Sequence, residues 1–255
     1  MIVKALKSLI PIVKNIKSGI EMKTLNTYLE SLLDDDDIFL DPKNDKNLIV
    51  DWIKSNYIIT GKLSISDDLV ADCTGSAIVR NTSITSLTNG MFEWGKIGLQ
   101  FDCSNCNKLT SLEGSPESVG GDFGCSNCEN LISLKGTPEK IGGGFDCSNC
   151  VKLKSLEGVP RIIGGGFYCE FCSRLRTLEG APEEVGGYFG CSNCVKLKTL
   201  KGAPKKVGGF FSCSSCGKLK SLEGAPEEIH GYFICLNCPN LTITDSDRKK
   251  YKIKN

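Results

Sequence analysis

The chain of 255 residues contains a single histidine, His230, and this scarcity limits the catalytic chemistry open to it. A nucleophile activated by histidine would have to use that one residue. The chain also lacks the G-K-[ST] phosphate loop, the H-E-x-x-H zinc motif and the G-x-S-x-G elbow of common enzyme classes. We therefore expect a protein that is not an enzyme and that holds no cofactor and no metal.

Long apolar runs and a strong net charge are also missing. The N-terminal hydrophobic stretch is interrupted by Lys4, Lys7, Lys14 and Lys17. No segment reaches the roughly 18 apolar residues that span a bilayer, and the same lysines break the core of a signal peptide. The formal net charge is only +1. We expect no membrane span and a cytoplasmic protein whose thiols stay reduced.

Cysteine and glycine, by contrast, are abundant, and their spacing forms a repeat. Fourteen of the 15 cysteines form seven Cys-x-x-Cys pairs at intervals of 22 residues. We number the coils one to seven by the cysteine pair that each contains. The pairs are 103/106, 125/128, 147/150, 169/172, 191/194, 213/216 and 235/238. Their unit reads L-x-S-L-E-G-x-P-x-x-V-G-G-x-F-x-C-x-x-C-x-x-L. Such a period predicts a solenoid, because each unit can bury its apolar side only against its neighbours.

Within the unit, F-x-C has the alternation of a short strand whose Phe and Cys side chains point into the core. We predict a repeat solenoid that is mainly β, with short parallel strands, one per 22-residue coil. The Glu157-Gly158 and Gly142-Gly143 corners are expected to turn the chain with positive φ, which glycine permits. Pro160 is expected to fix the turn after Gly158.

The repeat divides the chain into four segments. Residues 1–60 are expected to form a small helical N-terminal cap or a docking segment, because apolar residues recur at four-three spacing. Residues 61–100 are interpreted as a degenerate first coil, 101–241 as seven regular coils, and 242–255 as a polar C-terminal tail that caps the coil or frays. The first strand is expected between Tyr57 and Ile65.

The segment F-x-C-x-x-C-x-x-L is similar to the leucine-rich-repeat segment L-x-L-x-x-N/C-x-L. The sequence S-L-E-G-A-P…V-G-G resembles repeat proteins often encoded by bacteriophages and some bacteria. The resemblance covers about residues 76–241. It departs from the usual leucine-rich-repeat pattern in two ways. A glycine stands where the first leucine of the strand segment belongs, and one extra residue precedes the following leucine. The resemblance implies a viral protein in the host cytoplasm that binds and inhibits a host bacterial protein, such as a defence factor.

Three explanations of the cysteine pairs remain open, namely a buried thiol ladder, a metal site and a disulfide. Adjacent pairs have the C-x2-C…C-x2-C spacing of zinc sites. However, seven pairs do not divide into sites of four ligands. Aligning residues 78–87 with 147–156 also places Ile78 at the first cysteine and Asn81 at the second, a pair that would not hold a metal. The ladder is the favoured interpretation, since a free cysteine behaves as a small hydrophobe.

The residues that alternate with the inward Phe and Cys should point outward, where function is expected. They are small and polar in coils one to three and aromatic or apolar in coils four to seven. The candidate partner-binding residues are Tyr168, Phe171, Tyr188, Phe210, Tyr232, Ile234 and Leu236. Contiguous exposed apolar surface favours a protein partner. Alternatively, Tyr232, Ile234 and Leu236 pack beneath the C-terminal tail.

A second repeated column is basic and could follow phosphates. Its candidate phosphate-binding residues are Lys152, Lys154, Arg174, Arg176, Lys196, Lys198, Lys218 and Lys220. Glu157, Glu179 and Glu223 recur close by, which favours an ordinary solvated flank. The leading hypothesis is thus a scaffold that binds a protein. Nucleic-acid binding along the basic column is the second, and an enzyme with its site in residues 1–100 is the third.

Overall fold

The computed structural model describes residues 42–255, so the helices predicted before residue 42 lie outside the described residues. Two helices are present in this part, α1 (Pro42–Asn56) and α2 (Asp245–Lys250). In α1, Ile49 and Ile53 are buried one turn apart, and the Trp52 ring centroid lies 5.9 Å from that of Phe92. This half of α1 therefore packs on the core of the first coil. Neither described helix is long and apolar enough to cross a membrane.

Short strands recur from residue 57 to residue 254. In chain order they are β1 (Tyr57–Ile59), β2 (Leu63–Ile65), β3 (Val70–Cys73), β4 (Ala77–Val79), β5 (Glu93–Ile97), β6 (Phe101–Asp102), β7 (Ser118–Val119), β8 (Phe123–Gly124), β9 (Lys140–Ile141), β10 (Phe145–Asp146), β11 (Ile162–Ile163), β12 (Phe167–Tyr168), β13 (Glu184–Val185), β14 (Phe189–Gly190), β15 (Lys206–Val207), β16 (Phe211–Ser212), β17 (Glu228–Ile229), β18 (Phe233–Ile234) and β19 (Ile253–Lys254). Most regular coils contribute one strand of the F-x-C segment and one strand that precedes the glycine pair.

The strands form three sheets. The front sheet has the order β1-β4-β6-β8-β10-β12-β14-β16-β18-β19, and the two side sheets have the orders β2-β3-β5-β7-β9 and β11-β13-β15-β17. Strands of successive coils pair in parallel through equivalent residues, as where Phe145 pairs with Phe123 and Phe167. Antiparallel pairing occurs between β1 and β4 and between β2 and β3. The chain is thus a mainly β solenoid of about eight turns with 22-residue repeats, as the sequence predicts.

The predicted number of one strand per coil is wrong, because most regular coils contain two. In coil three the additional strand is β9, in which Ile141 is buried and Lys140 is exposed. A strand of two residues is too short to show a period-two pattern in the sequence. The strand predicted from Tyr57 to Ile65 is likewise two strands, separated by a turn at Gly61 with a φ of 72°.

The core consists of columns of identical side chains. The front-sheet column contains Phe101, Phe123, Phe145, Phe167, Phe189, Phe211 and Phe233, whose successive ring centroids are 5.0 to 5.5 Å apart. The paired cysteines and the two leucines of the regular coils line the same interior, and nearly all of them are fully buried. The predicted inward orientation of Phe and Cys is confirmed. Each coil shares this interior with its neighbours, which is why a single repeat could not fold alone.

A second column is made of hydrogen bonds from thiols. The second cysteine of a pair donates from Sγ to the carbonyl oxygen of the first cysteine of the preceding coil. The six bonds, 3.2 to 3.3 Å long, run from Cys128 to Cys103, Cys150 to Cys125, Cys172 to Cys147, Cys194 to Cys169, Cys216 to Cys191 and Cys238 to Cys213. The accepting carbonyl lies immediately after the front-sheet strand. The thiol therefore satisfies a buried acceptor, which would cost about 1–3 kcal/mol if left unpaired.

The irregular first coil has a different register from the one expected. Ala77 pairs with Phe101, so the next inward residue, Val79, occupies the position of a first cysteine. Val79 is buried, whereas Ile78 is half-buried and Asn81 is exposed. The predicted placement of Ile78 and Asn81 at the cysteine positions is wrong, because this coil has one residue fewer after its strand. An apolar side chain nevertheless replaces a thiol there.

The glycines of the repeat serve two different purposes. Gly158 has a φ of 111°, as predicted for the Glu-Gly corner. Gly142 lies outside the set of residues with positive φ, so the prediction for the Gly142-Gly143 corner is wrong. A Cβ atom at Gly142 would instead collide with the carbonyl oxygen of Gly120 in the preceding coil. This glycine is required because the stacked backbones approach each other too closely for a side chain.

The C-terminal segment folds onto the last coil. Thr244 caps α2 through a reciprocal pair of hydrogen bonds with Asp247. Beyond α2, Tyr251 is buried, with its ring centroid 5.3 Å from that of Phe233 and its hydroxyl donating to the Pro226 carbonyl oxygen at 2.7 Å. Strand β19 then pairs with β18. This segment closes the end of the phenylalanine column.

We predict that Gly186→Ala destabilises the solenoid. The added methyl group would collide with the Gly164 carbonyl oxygen and push adjacent coils apart. Overpacking of this kind costs about 1–3 kcal/mol. Gly217→Ala is the matched control, since nothing lies within 4 Å of the position of its Cβ. Urea unfolding followed by circular dichroism should separate the two variants, and equal losses of stability would contradict the close-approach explanation.

Candidate functional site

The candidate partner-binding residues lie on the outward side of the front sheet, in coils four to seven. We call them the front strip, comprising Tyr168, Phe171, Tyr188, Phe210, Tyr232, Ile234 and Leu236. Phe171 is 53% exposed, Phe210 46% and Tyr168 37%. Tyr188 and Ile234 are half-buried. Large apolar side chains are therefore accessible along several neighbouring coils.

The rings of coils four and five are held in place by glycines beneath them. The ring centroids of Tyr168 and Tyr188 lie 5.4 Å apart. A Cβ atom at Gly166 would overlap the Tyr168 ring, and one at Gly190 would overlap the Tyr188 ring. Each aromatic ring thus lies against backbone that has no side chain. The two rings thus pack on each other and on backbone in the free protein.

The C-terminal part of the strip is partly covered by the chain itself. The Nζ of Lys254 lies 3.9 Å from the ring centroid of Tyr232, and Lys254 is the sheet partner of Ile234. Tyr232 and Ile234 therefore contact the C-terminal segment, in agreement with the alternative interpretation of these two residues. Leu236 remains 44% exposed. We call the residues that the C-terminal segment does not contact the open part of the strip, namely Tyr168, Phe171, Tyr188 and Phe210.

A half-buried carboxylate that sequence reasoning did not select lies beside the Tyr188 ring. Glu170 accepts hydrogen bonds from the Tyr188 hydroxyl and from Ser148 Oγ, both at 3.0 Å. Burial raises the pKa of Glu170, and the nearby Asp146 carboxylate raises it further. Burial and the charge of Glu170 raise the pKa of Tyr188 to about 12, so Tyr188 stays a hydrogen-bond donor at neutral pH. The available signal was the replacement of the usual Ser-Asn pair by Glu-Phe at residues 170–171.

Phe171 occupies a backbone position that does not suit phenylalanine. Its φ is 58°, in the left-handed region. Five other coils place asparagine there, at Asn105, Asn127, Asn149, Asn193 and Asn237. Asparagine tolerates this conformation, whereas a bulky residue in it is an outlier. Strain of this kind concentrates at functional sites, which makes Phe171 a candidate contact residue on grounds independent of its exposure.

The basic residues lie on the flank that follows the second cysteine. All eight predicted phosphate-binding side chains are exposed. The backbone of this flank also stacks between coils, since the Lys198 N–H donates to the Arg176 carbonyl oxygen at 3.0 Å. The flank and the front strip are thus separate surfaces of the same coils.

The cysteines present no recognisable metal centre in residues 42–255. All 15 are free thiols, and no group of three or more Cys, His, Asp or Glu side chains in this part could hold a metal ion. Burial raises the pKa of Cys147 and Cys169 well above the ordinary value. In the metal-free protein these thiols therefore stay protonated at neutral pH.

Comparison with protein-family models, with curated proteins and with solved structures finds no match. The fold and the repeat nevertheless define the class, a β-solenoid repeat protein of about eight turns. The likeness to leucine-rich repeats and to bacteriophage-encoded repeat proteins remains a resemblance in sequence.

We predict that Phe171→Asn stabilises the protein by about 1 kcal/mol, because asparagine accepts the left-handed conformation at lower cost. The midpoint of urea unfolding should rise. Ser215→Asn is the control, since Ser215 has the same φ of 58° without an aromatic ring. Destabilisation by Phe171→Asn would instead indicate that the Phe171 ring contributes to packing in the free protein.

We also predict a steep loss of stability in alkaline solution. Burial raises the folded-state pKa of Cys103, Cys125, Cys147, Cys169 and Cys191. The stabilisation from such thiols is complete below the unfolded pKa of about 8.5 and is lost as the pH rises above it. A thiol that is deprotonated only in the unfolded chain lowers stability by up to about 1.4 kcal/mol per pH unit, so several such thiols together produce a steep decline.

The measurement is urea unfolding under reducing conditions between about pH 8 and pH 10. If stability stays constant over this range, the thiol ladder is contradicted. Constant stability would fit thiolates bound to a metal, because these are already deprotonated in the folded state. A metal chelator added at neutral pH is the control, and it should leave the unfolding midpoint unchanged.

Proposed function

We propose that this protein is a non-enzymatic scaffold that binds a protein partner through the open part of its front strip, Tyr168, Phe171, Tyr188 and Phe210. By sequence resemblance alone, the partner is a host bacterial protein, and the scaffold is a phage-encoded inhibitor of a defence or other host function. The observation that carries the proposal is the strained, exposed Phe171 in the same coil as Tyr168, whose ring packs on that of Tyr188.

The composition of the strip supports a protein contact. Tyrosine and phenylalanine are enriched in protein interfaces, and tyrosine is common among the few residues that dominate binding energy. Here four aromatic residues lie on three consecutive coils, which are roughly 5 Å apart. Glu170 and Tyr188 supply directional hydrogen-bonding groups at the centre of this apolar surface.

The rigidity of the strip supports the same role. Ordering a mobile side chain on binding costs about 0.5–1.5 kcal/mol. Because Tyr168 and Tyr188 already lie against each other and against glycine backbone, most of this cost is absent. The left-handed conformation of Phe171 destabilises the folded protein and brings the free protein no evident benefit. A bound partner that covers the ring would provide the compensating gain.

Charge on the same face indicates what the partner surface looks like. Asp102, Asp122 and Asp146 lie on the outward side of coils one to three, beside the aromatic coils, and Glu170 lies at the boundary. Complementarity favours a partner with an apolar centre and basic residues along one side. The enzyme hypothesis for residues 1–100 stays a prediction, since residues 1–41 lie outside the described part.

The test compares captures from bacterial lysate by the wild-type chain and by a strip variant, Tyr168→Ser with Phe171→Asn and Phe210→Ser. We expect a protein that is retained by the wild type and lost by the variant, and mass spectrometry identifies it. Purified partner then allows direct titration. Loss of three interface aromatics should weaken binding at least 100-fold, since such residues contribute about 2 kcal/mol or more each.

The matched control replaces exposed apolar residues away from the strip, Ile162→Ser with Val195→Ser. Ile162 is 63% exposed and Val195 50% exposed, so the control removes accessible apolar side chains that lie outside the strip. The control should bind as the wild type does. A captured protein that is lost equally from both variants, or retained by both, would refute the assignment of the strip.

A further inference from the structure

We propose a second binding surface, independent of the front strip, that holds the phosphate backbone of a nucleic acid. This surface, the flank ridge, consists of Lys152, Lys154, Arg174, Arg176, Lys196, Lys198, Lys218 and Lys220. The ion pairs between residues 46 and 255 include none of these eight. Lys152 donates to Asn130 Oδ1, which is a neutral acceptor. The eight positive charges are therefore exposed without a carboxylate partner in the described chain.

The acidic residues that recur near the ridge do not pair with it. Glu179 pairs with Lys201 at 3.3 Å, and Glu113 with Lys135 at 3.9 Å, both along their own column. On the neighbouring side sheet, Glu183 binds Arg161 through two hydrogen bonds of 3.1 and 2.8 Å. Each of these two columns contains both acidic and basic residues, and ion pairs form between residues of the same column. The ridge contains only positively charged residues, which distinguishes it from an ordinary solvated flank.

The ridge has defined ends. It covers coils three to six, and the equivalent positions in coils two and seven are neutral, at Asn130, Ile132, Asn240 and Thr242. Four coils at strand spacing span roughly 15 Å. Phosphates along one strand of a duplex advance 3.4 Å each, so roughly four of them fit along the ridge. The two rows of the ridge place two cations on each coil.

The charge distribution over the whole chain also favours a polyanion at the flank. The formal net charge is +1, so the residues outside the ridge carry seven more negative charges than positive ones. Asp102, Asp122 and Asp146 place part of this negative charge on the front sheet. A polyanion would be repelled from the front and attracted to the flank. The ridge thus becomes its preferred site of encounter.

The residues around the two rows indicate which part of the nucleic acid is recognised. The residue before each row pair is Val151, Ser173, Val195 or Gly217, and a leucine stands between the rows, so none of these positions is aromatic. Base stacking uses aromatic or guanidinium planes, and in the ridge only Arg174 and Arg176 offer a guanidinium, whereas the other six residues are lysines. Base readout requires entry into a groove. We therefore expect contacts with the backbone, independent of sequence and strongly dependent on salt.

The experiment measures fluorescence anisotropy of a labelled single-stranded oligonucleotide and of its duplex, each of about 30 nucleotides, in about 50 mM salt. The ridge variant combines Lys152→Gln, Arg174→Gln, Lys196→Gln and Lys218→Gln. The control variant combines Lys135→Gln, Arg161→Gln, Lys201→Gln and Lys205→Gln, which removes the same charge from residues that are ion-paired. We expect the ridge variant to lose at least 10-fold in affinity and the control variant less than twofold.

The salt dependence supplies a second readout. If about four phosphates are neutralised, the slope of log K against log salt for the single strand should be about −3 in the wild type. The slope should fall to about half of that value in the ridge variant, which keeps four of the eight cations. Circular dichroism and urea unfolding verify that both variants are folded.

Three results would overturn the proposal. The first is absence of binding by the wild type at low salt, and the second is an equal loss in the ridge and control variants, which would reflect net charge alone. The third is binding to heparin without binding to either oligonucleotide. The front-strip variant should keep its affinity for the oligonucleotides, so the failure of one surface remains distinguishable from the failure of the other.

Discussion

The structure depends on the close stacking of coils, and the thiol hydrogen bond is what makes that stacking possible at the end of each strand. A front strand of two residues leaves the carbonyl of the first cysteine just beyond the regular sheet, inside the dry core. The thiol of the next coil satisfies it at 3.2 to 3.3 Å. A larger polar side chain would not fit beside the phenylalanine column, and an apolar one would leave the acceptor unpaired. Cysteine is small enough and still donates, which explains its recurrence at the second position of each pair.

The same stacking determines where function can lie. Inward positions are occupied by Phe, Cys and Leu in nearly every coil, and the glycine pairs are fixed by the approach of neighbouring backbones. Only outward and flank positions are free to vary. Because equivalent residues of adjacent coils lie roughly 5 Å apart, a choice repeated over several coils becomes a continuous surface. Aromatic residues repeated in coils four to six produce the open part of the front strip, and lysine or arginine repeated in coils three to six produces the flank ridge.

The period of the sequence predicted the solenoid, the inward Phe and Cys columns and the corner at Gly158, because these follow from spacing alone. It missed strands such as β9, since two residues carry no visible alternation. It also misplaced Ile78, because a single deleted residue shifts every inward side chain of the strand to the outside. Gly142 is required because of its close approach to Gly120 in the preceding coil, and a contact between coils cannot be predicted from the sequence of one repeat. For the candidate site, the sequence identified the exposed aromatics but not Glu170, whose role depends on the position of Tyr188 in the next coil.

Departures from a repeat carry the most information about function, provided that their structural cost is known. Ser215 and Phe171 both replace asparagine in the left-handed position, yet only Phe171 combines that cost with a large exposed ring. Glu170 departs from serine in the same coil and is accommodated because Gly190, in the next coil, leaves space for its carboxylate and for the Tyr188 ring. Glu170 and Tyr188 thus fit one another across two neighbouring coils. Phe171 departs from the repeat in the same coil as Glu170, and for this reason we centre the proposed binding surface on coils four and five.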